Sequence, residues 1–421
     1  MIKLNKILPV FLLCTAMLVQ CAYAGHDKTI RPGAYQLQQY LPLLKNKRVG
    51  LFANPTSVIG QTHLADTLQK LGVHIVKIFG PEHGFRGNAD AGEKVATYTD
   101  EQTGITVISL YGAKNKPSPA DLSDVDIMLF DIQDVGVRFY TYISSLEYFL
   151  EAAIQNDKPL VILDRPNPNG FYVDGPVLQP EFKSFVGMQP VPVVYGMTMG
   201  EYASMLLGEG WLPGKYMRRQ DKRIHLGQVL GFEKKNNSFN LTVIKCQNYT
   251  HKSRYILPVK PSPNLPDMSS VYWYPSTCFF EGTVLSEGRG TSHPFQVFGH
   301  PSLPQDLFAF TPQPNEGAKN PKLNGQLCYG WNLADSKIPY PDKIALKWLL
   351  QAYQLFPGKD NFFLAAKTGR PADYFFNKLA GNAQLMQQIK AGITEQEIRA
   401  SWQPALTAFK KIRSKYLLYA D

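Results

Sequence analysis

Short apolar segments alternate with amphipathic ones through the first half of this 421-residue chain. Five segments are almost continuously apolar, as is typical of strands buried on both faces of a parallel sheet. They are residues 49–53, 75–79, 105–108, 127–130 and 160–163. Between the last two, Ile143, Leu146, Phe149, Ala153 and Ile154 recur at helical spacing, which predicts a helix packed on the sheet. The alternation predicts an α/β fold, a Rossmann-like doubly wound parallel sheet.

The pattern changes near residue 190, where Pro190 and Pro192 interrupt the apolar periodicity. We therefore predict a Rossmann-like domain at 25–190 and a smaller, mixed α/β C-terminal domain at 191–421. Residues 241–244 are assigned to the second domain as a strand, and residues 343–355 and 404–417 as closing helices. Pro404 is expected to open the last helix, because the first turn does not need its N–H group.

Two carboxylates of the second half have the spacing of helix caps. Thr198 with Glu201, and Thr394 with Glu397, match the capping box in which a side chain and a backbone N–H bond reciprocally. We therefore assign Glu201 to a helix N-terminus rather than to chemistry, and extend the same interpretation to Glu397.

The first 24 residues have the pattern of a secretory signal peptide. Lys3 and Lys6 precede the apolar residues 7–19, and the small residues Ala22 and Ala24 occupy the positions that a signal peptidase recognises. The apolar run is too short to span a bilayer as a helix. Cys21 leaves open the alternative of a lipoprotein, although Gln20 stands where a small residue is preferred. We expect a periplasmic or secreted protein.

The chain is basic. Its formal charge is +10, and removing Lys3 and Lys6 with the signal peptide gives 10 − 2 = +8. An excess of positive charge suits a polyanionic partner such as a cell wall, or merely keeps the protein soluble. Nucleic acid is not expected, because the basic residues are scattered and the chain is exported. Cys246, Cys278 and Cys328 allow at most one disulfide and have no zinc-site spacing.

Polar residues follow each predicted strand of the first half. Ligands bind outside the carboxyl ends of the strands in an open parallel sheet, so these residues are expected at one edge. They include Asn54; Glu82, His83 and Arg86; Tyr111; Asp131, Asp134 and Arg138; and Asp164, Arg165 and Asn167. No GxGxxG, GxSxG or Walker A pattern is present, which disfavours nicotinamide, flavin, esterase and nucleotide-hydrolase functions.

Five motifs carry a resemblance to the exo-β-N-acetylmuramidase family, long described as a domain of unknown function. They are FGPEHGFRG at 79–87, DIQDVGVRFYTY at 131–142, LDRPNPNG at 163–170, PSPNLP at 261–266 and FEGTVLSEGRGTSHP at 280–294. The resemblance implies a Rossmann-like N-terminal domain, a smaller C-terminal domain that closes an active-site cleft, and removal of non-reducing terminal N-acetylmuramic acid (MurNAc) from peptidoglycan fragments.

Glycoside hydrolysis needs an acid for the leaving oxygen and a second group that acts as base, nucleophile or support for a substrate acetamido group. Glu82 is the predicted acid, because partial burial on a short loop would favour its protonated form. The alternative is a loop carboxylate bonded to the backbone or to Arg86. Asp131 and Asp134 are candidates for the second role, unless they brace the turn, and Glu287 is a third candidate.

Further residues are predicted to bind the sugar. A guanidinium is suited to the lactyl carboxylate that distinguishes MurNAc from GlcNAc, so one of Arg86, Arg138 and Arg289 is expected to select MurNAc, unless each forms a structural ion pair. A Gly-rich loop is expected to close over the sugar; it carries Glu281, Ser286, Glu287, Thr291 and His293. Asn264 of the PSPNLP motif is also assigned to substrate binding, and Tyr111, Tyr140 and Trp331 either stack on sugars or pack in the core.

We expect no cofactor and no metal, because His83, His293 and His300 lack HxH or HxxxH spacing. Two alternatives to a muramidase stay open. One is a cell-wall protein that uses the cleft for capture without catalysis, and the other is a hydrolase of a different bond, such as an amidase or a phosphate ester hydrolase.

Overall fold

The computed structural model describes residues 28–87, 96–212, 239–334 and 337–421. The predicted signal peptide and Cys21 lie outside the described residues. No helix within the described ranges is long and apolar enough to cross a membrane.

The first half supplies ten strands and four α-helices to the described structure. In chain order they are α1 (Leu37–Leu44), β1 (Val49–Ala53), β2 (Val58–Ile59), β3 (Thr62–His63), α2 (Leu64–Lys70), β4 (Ile75–Gly80), β5 (Tyr98–Thr99), β6 (Thr106–Ser109), β7 (Ile127–Asp131), α3 (Tyr142–Gln155), β8 (Leu160–Leu163), β9 (Asp174–Val177), β10 (Pro192–Val194) and α4 (Met199–Gly208).

The second half adds mostly helices in its described part. They follow as β11 (Leu241–Ile244), α5 (Met268–Thr277), β12 (Val297–His300), β13 (Phe308–Phe310), β14 (Cys328–Asn332), α6 (Lys347–Leu355), α7 (Phe375–Ala380), α8 (Gln384–Lys390) and α9 (Glu395–Arg413).

A seven-stranded sheet organises the molecule, in the order β11-β8-β7-β1-β4-β6-β5. All neighbours pair in parallel except β5, which runs antiparallel to β6 at one edge. From β1 the chain winds outwards to β4 and β6, then returns to β7, β8 and β11 on the other side. This is the strand order of a doubly wound Rossmann sheet, and it confirms the predicted fold class.

Both faces of the sheet are covered, as the continuous apolarity of the strands predicts. On one face, Phe149 of α3 packs against Phe52, Phe79 and Phe130, with ring centroids 4.9, 5.6 and 6.1 Å apart. On the other face, α1 and α2 bury leucines against β1 and β4. Truncating a ring such as Phe149 to alanine typically costs about 3–5 kcal/mol, so this layer holds the strand ends in place.

The sheet extends past the boundary predicted near residue 190. Its edge strand β11 lies at Leu241–Ile244 and pairs in parallel with β8, whereas the sequence assigned this strand to the second domain. The remainder of the second half contains a small antiparallel sheet, in the order β12-β14-β13, with helices packed around it. The division of the chain into domains stays a prediction.

Both capping boxes are confirmed, and one of them corrects a helix boundary. Thr198 and Glu201 begin α4, while Thr394 and Glu397 begin α9. The last helix therefore starts at Glu395, and Pro404 lies inside it rather than at its first turn. The cap satisfies the free N–H groups of the first turn, which places the N-terminus ahead of the proline.

Candidate active site

The loops after β4, β6 and β7 meet the second half of the chain around a cleft of about 260 Å³. The first half contributes its polar lining through Glu82, His83, Tyr111, Tyr140 and Tyr142. The second half contributes Asn264, Glu281 and Arg289, together with the aromatic side chains Tyr274 and Phe295. Six of the predicted site residues thus line one cleft: Glu82, His83, Tyr111, Asn264, Glu281 and Arg289.

Glu82 lies in a tight turn directly after β4. The N–H of Gly84 donates to the carbonyl of Pro81 at 3.0 Å, and His83 adopts a left-handed φ of 69°. A left-handed conformation is uncommon for a residue with a Cβ and is seen often at functional sites. The next residue, Phe85, is buried and packs edge-on against His63 with ring centroids 4.6 Å apart. The buried Phe85 therefore anchors the turn to the core, while Glu82 faces the cleft.

Two tyrosines surround the Glu82 carboxylate. Burial, the negative charge of Glu82 and a hydrogen bond to Glu82 raise the pKa of Tyr111 well above its usual value. Burial and the charge of Glu82 likewise raise the pKa of Tyr142, whose hydroxyl accepts a 2.9 Å hydrogen bond from Asn54 Nδ2. Asn54 thus lies behind Tyr142 and positions a cleft residue, rather than lining the cleft itself. Tyr142 was not singled out from the sequence, although it lies in the matched motif 131–142.

Arg86 is held away from the cleft by two carboxylates. Its Nη2 lies 2.9 Å from Asp66 and 2.9 Å from Asp100, and its guanidinium is 4.7 Å from the Phe85 ring centroid. Arg86 is not among the residues lining the cleft. It belongs to an ion-pair network that fixes the end of the Glu82 loop. This is the structural ion pair considered above as the alternative to substrate binding.

Asp131 and Arg165 form a fully buried ion pair at the ends of β7 and β8. Arg165 Nε donates to Asp131 at 2.6 Å, and Arg165 Nη2 donates to the second carboxylate oxygen at 2.8 Å. The pair joins two neighbouring strand ends in a bidentate geometry. Neither residue lines the cleft.

Asp134 and Arg138 are also buried outside the cleft lining. Burial raises the pKa of Asp134 to about 7, although the carboxylate accepts hydrogen bonds from the Tyr195 hydroxyl and from Gly136 N. Burial lowers the pKa of Arg138 to about 9. The Arg138 guanidinium donates to the carbonyls of residues 176, 191 and 379 at 2.7–2.9 Å, which joins distant segments of the chain.

The residues after β8 brace the fold. Asp164 accepts from Thr198 Oγ1 at 2.6 Å and from Gly200 N at 2.9 Å, at the N-terminus of α4. Burial raises the pKa of Asp164 to about 6. Asn167 donates to the carbonyl of Met197 at 2.8 Å and so fixes the same turn. Both residues hold α4 in place and lie outside the cleft lining.

Alternating charges lie at and behind the opposite wall of the cleft. Arg289 Nη2 lies 2.6 Å from Glu281, and Arg289 Nε lies 3.4 Å from Glu287. Glu287 in turn lies 2.8 Å from Lys322. Burial alone would lower the pKa of Arg289, but the charges of Glu281 and Glu287 raise it above its usual value. Glu287 is buried behind Arg289 and does not line the cleft.

Three further predicted residues, Thr291 and His293 on this loop and Trp331 on β14, lie outside the cleft lining. Thr291 donates its hydroxyl to the carbonyl of Gly288 at 2.7 Å and so shapes the loop. His293 is exposed, and its backbone N–H donates to Thr291 Oγ1 at 3.0 Å. Trp331 packs against Phe298 with ring centroids 5.4 Å apart, so it belongs to the packing of the small sheet. None of the three lines the cleft.

Comparison with known proteins gives consistent matches over nearly the whole chain. Residues 49–269 match the model of the N-terminal domain of the exo-β-N-acetylmuramidase NamZ, and residues 272–419 match that of its C-terminal domain. The peptidoglycan β-N-acetylmuramidase NamZ of Bacillus subtilis is 38% identical over 411 residues, which is 91% of this chain and 89% of that protein.

Two crystal structures of DUF1343 family proteins from Bacteroides fragilis have the same fold. One has a TM-score of 0.79 and 42% identity, and the other has a TM-score of 0.74 and 28% identity. In both cases the match covers 93% of this chain and 99% of the solved chain. These matches, and the two domain models above, show that the chain belongs to the exo-β-N-acetylmuramidase NamZ family.

Proposed function

We propose that this protein is an exo-acting β-N-acetylmuramidase, a glycoside hydrolase that removes non-reducing terminal MurNAc from peptidoglycan fragments. The observation that carries the proposal is the position of Glu82. It faces a cleft formed by both halves of a NamZ-family chain, with a second glutamate on the facing wall. Two carboxylates around a sugar-sized cavity are the minimum that most glycosidases need.

Glu82 is proposed as the general acid that protonates the leaving glycosidic oxygen. Its loop is anchored, because Phe85 is buried and Arg86 forms ion pairs with Asp66 and Asp100. The Tyr111 hydroxyl is hydrogen-bonded to Glu82, which fixes the direction of the carboxyl group. A positioned acid of this kind typically contributes about 100- to 10,000-fold to the rate.

Glu281 is proposed as the second carboxylate. Of the acidic residues considered for this role, Asp131 is paired with Arg165, Asp134 is buried and Glu287 lies between Arg289 and Lys322. Among the described residues that line the cleft, the carboxylates are Glu82 and Glu281. The ion pair with Arg289, at 2.6 Å, holds the Glu281 carboxyl group at the cleft wall.

The experiment measures p-nitrophenol release from a β-MurNAc glycoside and from its GlcNAc analogue. We expect turnover of the MurNAc compound. On a MurNAc-terminated disaccharide, whose sugar leaving group requires a proton, kcat should fall by about 100- to 10,000-fold in Glu82→Gln and in Glu281→Gln. Glu287→Gln and the exposed Glu181→Gln are the matched controls, and both should lose far less.

Near-normal turnover of the MurNAc-terminated disaccharide by a folded Glu82→Gln protein removes Glu82 from the acid role. Failure of the wild-type protein to release p-nitrophenol, with retained binding of the glycoside, favours the non-catalytic wall-binding protein. The product anomer, observed by NMR during the reaction, assigns the role of Glu281: inversion indicates a base, and retention indicates a nucleophile or an acetamido support.

A further inference from the structure

A group of aromatic side chains surrounds an arginine on the surface formed by the loop after β8, the segment before α5, α5 itself and the segment before α6. The Arg254 guanidinium carbon lies 3.4 Å from the Phe171 ring centroid and 5.8 Å from that of Tyr272. Tyr272 contacts Tyr340, with ring centroids 4.9 Å apart, and also lies 6.3 Å from Phe171. These four residues are called the aromatic–arginine surface below.

This surface is open to solvent, and its arginine forms no ion pair with the described residues. Tyr340 is 51% exposed and Arg254 is exposed. Within the described part of the chain, no hydrogen bond or ion pair involves the Arg254 guanidinium. The charges of Asp342 and Arg254 both influence the pKa of Tyr172, so Asp342 lies in the same region of the surface. No ion pair joins Asp342 to Arg254.

The packing of Arg254 leaves its hydrogen-bonding edge available. A guanidinium stacked on an aromatic ring uses its flat face for the contact, so that its N–H groups point sideways in a fixed fork. Such a fork binds a carboxylate in a bidentate manner. The exposed ring of Tyr340 offers a flat, amphipathic contact of the kind that recurs in binding sites.

The aromatic–arginine surface is separate from the cleft. Tyr272 and Tyr274 are both on α5, and Tyr274 lines the cleft. Residues two apart on a helix point about 200° away from each other, because each residue turns the helix by roughly 100°. The aromatic–arginine surface and the cleft therefore lie on opposite sides of α5.

We propose that the aromatic–arginine surface is a second saccharide-binding site, which holds peptide-free glycan chains of the cell wall. The sugars of such a chain present apolar faces to Tyr340, and their free lactyl groups present carboxylates to Arg254. This inference rests on the proposed function for its substrate class. Attachment at a second site raises the effective concentration of chain ends at the cleft, which assists polymeric substrates and leaves small glycosides unaffected.

The test compares glycan binding with turnover of a small substrate. Binding is measured by co-sedimentation of Glu82→Gln protein with insoluble, peptide-free glycan strands, and turnover of the MurNAc glycoside is measured in the active protein. Arg254→Gln should weaken binding at least about 10-fold, the loss typical of a charge-assisted contact. Tyr340→Ala should also weaken binding, by roughly 10-fold, because it removes the exposed ring on which the sugars stack. Their kcat/KM on the small glycoside should stay at the wild-type value.

Matched controls are Tyr98→Ala, an exposed tyrosine on β5, and Arg370→Gln, an exposed arginine paired with Asp373. Insoluble chitin, which lacks carboxylates, should bind more weakly than the glycan strands, and Arg254→Gln should reduce that difference. Undiminished glycan binding by Tyr340→Ala and Arg254→Gln overturns the second site, as does an equal loss in the two controls. Because turnover of the small glycoside is measured separately, failure of the second site is distinguishable from failure of the proposed activity.

Discussion

The three arginines of the matched motifs differ in what surrounds their guanidinium groups. Arg86 is bonded to Asp66 and Asp100, and Arg138 is buried among backbone carbonyls. Arg289 alone of the three lines the cleft, where Glu281 and Glu287 orient it from one side. We therefore expect Arg289, rather than Arg86 or Arg138, to bind the lactyl carboxylate of MurNAc.

Arg289→Met should reduce the preference for MurNAc over GlcNAc glycosides by about 10- to 150-fold in kcat/KM, because one charge-assisted hydrogen bond contributes roughly 1.5–3 kcal/mol. Methionine retains most of the packing volume and removes the donors. Arg86→Met is the control that should keep the wild-type ratio. If Arg289→Met keeps the ratio and discrimination fades only with added salt, diffuse surface charge distinguishes the two sugars and a specific arginine does not.

For individual residues, the sequence predicted which polar side chains lie at the strand ends, but not which of them contact one another. Glu82 and Tyr111 follow different strands, and the strand-end argument placed both at one edge. The same argument applied equally to Asp131 and Asp164, which instead bond to Arg165 and to the N-terminus of α4. Pairing of buried charges depends on side-chain packing between segments distant in sequence, which residue type and spacing do not specify.

The Glu82 loop is held by contacts between elements. Arg86, at the end of the loop, joins Asp66 on α2 to Asp100, which directly follows β5. The hydrogen bond and charge of Arg86 hold the pKa of Asp100 at about 2, below its ordinary 3.8. The edge strand and the helix thus immobilise the segment that presents the catalytic candidate.

Asp100→Asn should destabilise the protein by about 1–2 kcal/mol at neutral pH, as expected for a depressed pKa in a partly exposed network. The ionised form is favoured in the native state, so its stabilising contribution is complete above about pH 4 and disappears as the pH falls towards 2. Urea unfolding at several pH values should show the difference between wild type and variant shrinking over this window. A difference that is constant down to pH 2, or one equal to that of the exposed Asp306→Asn control, contradicts the assignment.

Elements with a strong apolar pattern were predicted closely, because both faces of the parallel strands are buried and leave an unambiguous pattern. The predicted segment 49–53 coincides with β1, and 160–163 coincides with β8. Boundaries of amphipathic helices were less well determined. The helix α9 starts at the cap formed by Thr394, not at Pro404 ten residues later. Both residues are helix-start signals, and the sequence alone does not show which one marks the first turn.

The architecture of the central sheet follows from local sequence patterns, whereas the packing of the two halves of the chain does not. The alternation of strands and helices predicted the doubly wound architecture, since parallel strands require crossover connections. The recruitment of β11 to the edge beyond β8 was not predicted, because any exposed strand edge of suitable length offers the same backbone hydrogen bonds. The wall that faces Glu82 likewise depends on how the two halves of the chain pack together.

The mature protein should begin near Gly25 and be found in the periplasmic or secreted fraction. The small residues Ala22 and Ala24 favour cleavage at that point over lipidation of Cys21. Within the described residues, the chain joins the sheet region shortly after this point, where Arg31 N donates to the carbonyl of Gln247 at 3.1 Å and Gly33 N donates to that of Asp164 at 2.7 Å. Mass spectrometry of the exported protein and fractionation of a Cys21→Ala variant provide the test. A diacylated Cys21, or loss of membrane association specifically in Cys21→Ala, would show a lipoprotein instead.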